Sequence, residues 1–238
     1  MEMTTSPSIL VFDVNETLLD LTTLEPLFER VFGDPAALRD WFAQLILYSE
    51  SLTLCGFYTP FDKIAGGALR MVGATSKVDV READIDELTR RISQMPAHPD
   101  AAPALERLKA AGFRLVTLTN SPPSASPTPL ERAGLAGYFE AAFSVQDVGR
   151  FKPAPETYRF VADQMGVGLP DMCMVACHLW DIIGAQAAGC TGAFLRRPGN
   201  DVMIAEGVPL PDIVVDDMQA LAEEIIARWA GTAQQARP

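Results

Sequence analysis

ILVFDVNET, residues 9–17, is the stretch whose reading decides the fold. Four consecutive apolar residues run without polar alternation straight into Asp13. Such a run marks a strand buried on both faces. Five more follow: FRLVTLTN (113–120), AAFSV (141–145), MCMVAC (172–177), TGAFLR (191–196) and DIVV (212–215). Helix-length segments such as PAPETYRFVADQMGV and DIIGAQAAG lie between them. Buried strands alternating with helices predict an α/β fold, a parallel sheet covered on both faces. Ligands of such sheets sit beyond the C-terminal ends of the strands. Asp13, the pair Thr119 and Asn120, and the segment His178 to Asp181 all fall just past strand ends, and Lys152 follows a strand by a short loop. These positions are expected to converge on one rim.

The alternation breaks between residues 21 and 95. LEPLFERVF, ALRDWFAQLILYSESLTL, FDKIAGGALRMV and EADIDELTRRISQM carry helical apolar spacing and no strand pattern. This region reads as a helical cap (21–95) inserted into a core made of residues 1–20 and 96–238. Pro-rich MPAHPDAAPALERL restarts the core. There is no internal repeat, and the tail GTAQQARP reads as frayed.

The chain has 238 residues, 48% of them hydrophobic and 21% charged, with a net charge of −12. That balance argues against nucleic acid as the partner, because phosphate backbones call for clustered Lys and Arg. No apolar run reaches the roughly 18 residues of a membrane span, and MEMTTSPS lacks a basic, then apolar, leader. A cytoplasmic setting is the expectation. Cys55, Cys173, Cys177 and Cys190 are too sparse for a disulfide framework and lack zinc spacing, so reduced and mostly packed thiols are expected.

Asp13 at a strand end is a candidate nucleophile, since a carboxylate can form an ester or acyl phosphate and split one hard step into two. Thr17, Thr119 and Asn120 are candidates to orient it. Lys152 supplies a positive charge that keeps Asp13 ionised and holds substrate.

The order DVNETLLD, TLTNS, FKPAP and VACHLWD resembles the haloacid dehalogenase superfamily over nearly the whole chain. The KPAPETY spacing, the Trp180–Asp181 pair and the helical cap look most like its type II 2-haloacid dehalogenases. The resemblance implies a Rossmann-like core with a helical-bundle cap, and frequently a homodimer. It implies that Tyr158 bonds into the site and that Asp181 pairs with Lys152 and positions water. It also implies that Phe61 and Trp180 line a halide pocket.

Most of the superfamily transfers phosphoryl groups with Mg²⁺ and carries D-x-D at the first motif. Here Asn15 takes the place of the second acid and cannot protonate a leaving alkoxide. In the frame V-G-D-x-x-x-D, Cys177 takes the first acid's place, and a thiol is a poor ligand for a hard cation. Carbon–halogen hydrolysis needs neither group, because halide leaves unprotonated. The sequence therefore points to metal-free and cofactor-free dehalogenation of a small halogenated carboxylate. Two other readings stay open: a phosphatase-like hydrolase acting on another small molecule, and a quiet binding protein on the same fold.

The pattern also departs from the type II dehalogenases. Their first motif resembles D-x-Y-G-T, where this chain has Asn15 and Glu16. Their cap Arg is replaced by Trp41. Arg39 lies two residues earlier, turned by about 200° round the helix, and is the candidate substitute. Their S-x-N-x-W-D becomes Ala176 and His178 ahead of Trp180 and Asp181. An imidazole with a near-neutral pKa at His178 would be placed to activate water.

Overall fold

The computed structural model describes residues 6–123 and 126–233. Strand β1 (Ile9–Phe12) is followed by helices α1 (Glu25–Phe32), α2 (Ala37–Leu54), α3 (Phe61–Ser76), α4 (Glu82–Ile92) and α5 (Ala101–Ala110). Then come β2 (Arg114–Thr119), α6 (Pro129–Arg132), β3 (Ala141–Ser144), α7 (Pro155–Met165) and β4 (Met172–Ala176). The chain ends with α8 (Leu179–Ala188), β5 (Thr191–Leu195), β6 (Ile213–Val215) and α9 (Met218–Ala233). Every apolar run read as a strand is one. The tail read as frayed begins as the last turn of α9, and residues 234–238 lie outside the described residues.

The six strands form one parallel sheet in the order β3-β2-β1-β4-β5-β6. This is the doubly wound, Rossmann-like order, in which the direction of winding reverses between β1 and β4. β1 is therefore central. Successive strand residues point to opposite faces, and all four of its side chains are at most 1% exposed, so the sheet is covered on both sides. Helix pairs α5–α9 and α7–α8 pack together against it.

The chain leaves this core and returns to it along one paired stem. Leu19 bridges Ala97 in antiparallel fashion. The Asp20 amide donates to Pro96 O at 2.8 Å, and the His98 amide to Leu18 O at 2.9 Å. Between the two arms, α1 to α4 pack on one another as a helical layer with its own apolar centre of Phe28, Leu38, Trp41 and Leu69. Trp41 is 1% exposed; its ring lies against Phe28 and Phe42, and its Nε1 donates to Ala65 O at 2.9 Å.

Candidate active site

The reversal between β1 and β4 leaves a crevice at their C-terminal ends, and Asp13 is the first residue beyond β1. Its amide still donates to Val175 O of β4 at 3.0 Å, so the side chain starts from a fixed backbone. Asp13 Oδ1 accepts from Lys152 Nζ at 2.8 Å. Oδ2 accepts from the Thr17 hydroxyl at 2.8 Å and faces His178 Nδ1 at 3.1 Å. Burial opposes ionisation of Asp13, but the Lys152 ammonium and His178 outweigh it, and the carboxyl is held well below the usual range.

Lys152 is fully buried and makes three contacts at once: Asp13 Oδ1, Asp181 Oδ2 at 2.6 Å and Leu118 O at 2.9 Å. Burial disfavours its charge, yet the two carboxylates raise its pKa. Asp181 also accepts from the Tyr158 hydroxyl at 2.7 Å. Burial comes first in lifting the Asp181 carboxyl above its ordinary value, the Asp13 charge adds to this, and Lys152 offsets only part. Gly184, one turn further along α8, permits the arrangement. A Cβ there would stand 2.6 Å from Pro153 O, so only glycine lets α8 carry Asp181 up to the Lys152 segment.

Several residues have other duties than those expected. Asn120 does not orient Asp13; its Oδ1 accepts the Lys152 amide at 3.1 Å and fixes the lysine loop. The Thr119 hydroxyl accepts the Ser121 amide at 3.1 Å, because the chain turns sharply there. Arg39 does not substitute for a substrate-binding cap Arg. Its guanidinium pairs with Glu16 and donates to Pro198 O at 2.6 Å, which occupies it outside the apolar cavity between the sheet edge and the helical layer. Trp41 does line that cavity, as a packed apolar wall.

His178 needs the largest correction. Its ring nitrogens face Asp13 Oδ2 and Glu16 Oε2, the second at 2.9 Å. Burial favours the neutral ring, but the carboxylates oppose this and raise the pKa. A thiolate at Cys177 would act in the same direction, but burial keeps that thiol protonated. With both ring nitrogens engaged by carboxylates, His178 has no free nitrogen turned to a water.

Glu16 is the site residue that sequence reasoning missed. Its backbone is left-handed, with φ 66°. A residue with a Cβ pays about 1–2 kcal/mol there. It is 2% exposed, and its carboxylate joins His178 to Arg39. The signal was present as two departures from the family pattern, an acid at 16 and an imidazole at 178, which the fold makes partners.

Between the sheet edge and the helical layer lies a cavity of about 450 Å³. Val14, Trp41, Phe42, Leu45, Phe61 and Phe143 give it apolar walls, Asn15, Thr119 and Ser121 are among its uncharged polar groups, and Asp62 and Asp147 also line it. Among the described residues no Lys, Arg or His lines it. Asn15 Nδ2 donates to Ser121 Oγ at 3.0 Å. Trp180 stacks on His178 with centroids 5.0 Å apart, and Lys152 Nζ stands 5.8 Å from its ring.

Among the described residues, donor atoms of Glu16, Cys177 and His178 converge within 4.8 Å, a spacing that a metal ion would accept. They do not fit one. Glu16 is taken by Arg39 and His178, and the buried thiol resists the ionisation that metal ligation demands.

A buried carboxylate at a switch point, a buried lysine bridging it to a second acid and a layer of helices stand together in one fold. A family model for haloacid dehalogenase-like hydrolases matches residues 7–189. The chain belongs to this family. It is 30% identical over 192 residues to the (S)-2-haloacid dehalogenase 4A of Burkholderia cepacia, covering 80% of this chain and 83% of that one. It is also 30% identical over 193 residues to (S)-2-haloacid dehalogenase 1 of a Pseudomonas species, covering 79% and 83%. The solved structure of the L-2-haloacid dehalogenase RSc1362 superposes with a TM-score of 0.86 at 29% identity, over 93% of this chain and 99% of that one. No described helix is long and apolar enough to cross a membrane.

Proposed function

We propose that the protein hydrolyses small 2-haloalkanoic acids to 2-hydroxy acids through an ester on Asp13, without a metal. The observation that carries this is the division of labour on the Asp13 carboxylate. Oδ2 has two partners, Thr17 and His178, while Oδ1 has only Lys152 among the described residues. The spare lone pair on Oδ1 is the one available to attack carbon. Oδ1 displaces halide from C2 with inversion, and the halide carries off the bonding pair. Water then adds to the carboxyl carbon, and Asp181, whose raised pKa makes it the better base, takes its proton. Tyr158 and Lys152 hold Asp181 for that task.

Residues 21–95 act as a cap over a core of residues 1–20 and 96–238. The substrate carboxylate rests on Asn15, Thr119 and Ser121, uncharged polar groups of a cavity that Asp62 and Asp147 also line. Phe61 and the other rings exclude water from the reacting carbon. A homodimer in the cytoplasm belongs to the same reading, supported by the family and by four free cysteines, of which Cys55 alone is exposed. The sequences (S)-2-haloacid dehalogenase 4A and 1 are named for this activity.

Single turnover of 2-chloropropionate in H₂¹⁸O is the test. Label is expected in Asp13 and not in the first product. Label going directly into product would eliminate the ester. A parallel screen of haloacetates with EDTA, and of a chromogenic phosphate with Mg²⁺, separates this reading from a phosphatase.

A further inference from the structure

His178 has a carboxylate at each ring nitrogen: Asp13 Oδ2 at Nδ1 and Glu16 Oε2 at Nε2. A neutral imidazole carries one N–H and would aim a lone pair at one of these acceptors. Only the imidazolium satisfies both. Its two faces are covered by Phe42 and Trp180, with centroids 5.3 and 5.0 Å away, in range for cation–π attraction. Beyond Glu16 stands Arg39, on the same face of α2 as Phe42. The charges therefore alternate through the protein in the order Asp181, Lys152, Asp13, His178, Glu16, Arg39. Cys177 also faces the imidazole, at 3.6 Å, as a protonated thiol.

We propose that Glu16 is a positioning residue that keeps His178 an imidazolium, and that His178 Nδ1–H and the Thr17 hydroxyl form the oxyanion site for hydrolysis of the Asp13 ester. This rests on the ester reading above. Once Oδ1 has bonded to carbon, Oδ2 is the ester's carbonyl oxygen. When water adds, the C=O pair moves onto Oδ2, where two donors already stand at 2.8 and 3.1 Å. Donors at these distances suit an oxyanion. Collapse re-forms C=O and breaks the bond between the carboxyl carbon and Oδ1. Oδ1 leaves with the product as its new hydroxyl oxygen, taking the proton held by Asp181. His178 transfers no proton at any step.

The test combines a titration with a single turnover. The chain has two histidines, so ¹⁵N-histidine labelling gives few signals, and a His178→Gln variant assigns them. In the wild type both His178 nitrogens should be protonated at neutral pH, and in Glu16→Gln they should titrate at a lower pH than in the wild type. With 2-chloropropionate at pH 8, Glu16→Gln should form the Asp13 ester normally and hydrolyse it about 100–1,000-fold more slowly. Intact-mass measurement would then show the adduct accumulating. Lowering the pH to 6 should recover much of the lost rate. Glu16→Gly, which suits the left-handed backbone, should behave alike and guards against a misfolded Gln variant. A wild-type His178 that is neutral at pH 7 overturns the proposal, as does unchanged ester hydrolysis in both variants. Absence of any adduct, with His178 still protonated, removes the ester reading and the oxyanion role with it, and leaves the imidazolium standing.

Discussion

Replacing Lys152 by Met removes the cation between two buried carboxylates and keeps most of the side-chain volume. Lys152 is fully buried, with 2.8 Å to Asp13 and 2.6 Å to Asp181. Removing one member of a buried charged set costs about 3–5 kcal/mol, because the remaining charges are left without a partner. The protein has one way to reduce that cost, which is to protonate an acid. Asp13 keeps Thr17 and His178, so the proton goes to Asp181, whose pKa is already raised by burial and by Asp13. In the variant the folded pKa of Asp181 rises further above the unfolded value of about 3.9. A folded state that binds the extra proton loses stability as pH rises through that window, by up to about 1.4 kcal/mol per pH unit. Urea denaturation of wild type and Lys152→Met at pH 5 and pH 8 measures this. The deficit should be small at pH 5 and approach 3–5 kcal/mol at pH 8. Proton uptake should also inactivate Asp181 as a base. A deficit below about 1 kcal/mol, equal at both pH values, would refute the reasoning.

Trp41→Ala should destabilise by about 3–5 kcal/mol in urea denaturation, since Trp41 is almost wholly buried and anchors α2 to α3. Thr17→Val removes both a donor to Asp13 and the acceptor of the Cys177 amide. It should lower stability by about 1–3 kcal/mol and slow ester hydrolysis in the single-turnover assay. His178 has its folded pKa above the ordinary value. Its ionic contribution should be complete below about pH 6.5 and fade as pH rises through the folded value. The stability gap between wild type and His178→Asn should therefore be widest near pH 6 and narrow above it.

The strands were legible because short, mostly apolar runs bounded by turn residues and set between helix-length segments fit the buried strands of a parallel sheet. Helix α2 was legible from Ala37 to Leu54 for the converse reason, a sustained 3.6-residue period. The positions of Asp13, Lys152, Tyr158 and Asp181 followed from motif order, since each sits on or just past an element whose place in the sheet is fixed. Charge and partnership did not follow. Arg39 and Glu16 are 23 residues apart and touch only because the stem at Leu19 and Ala97 folds the helical layer back over the β1 loop. His178 looked like a base because an unperturbed imidazole has a near-neutral pKa. In the fold a carboxylate stands at each ring nitrogen and aromatic rings lie against it, a setting that favours the imidazolium.

The sequence by itself determined the sheet, the carboxylate at the end of its first strand and the amide at Asn15 where phosphatases of the family carry a second acid. These depend on local pattern and residue type. Only the tertiary structure decided which oxygen of Asp13 is free, what Arg39 serves and why an acid occupies left-handed backbone at Glu16. Those depend on distances between segments far apart in the chain, where burial makes each charge answer to its nearest partner.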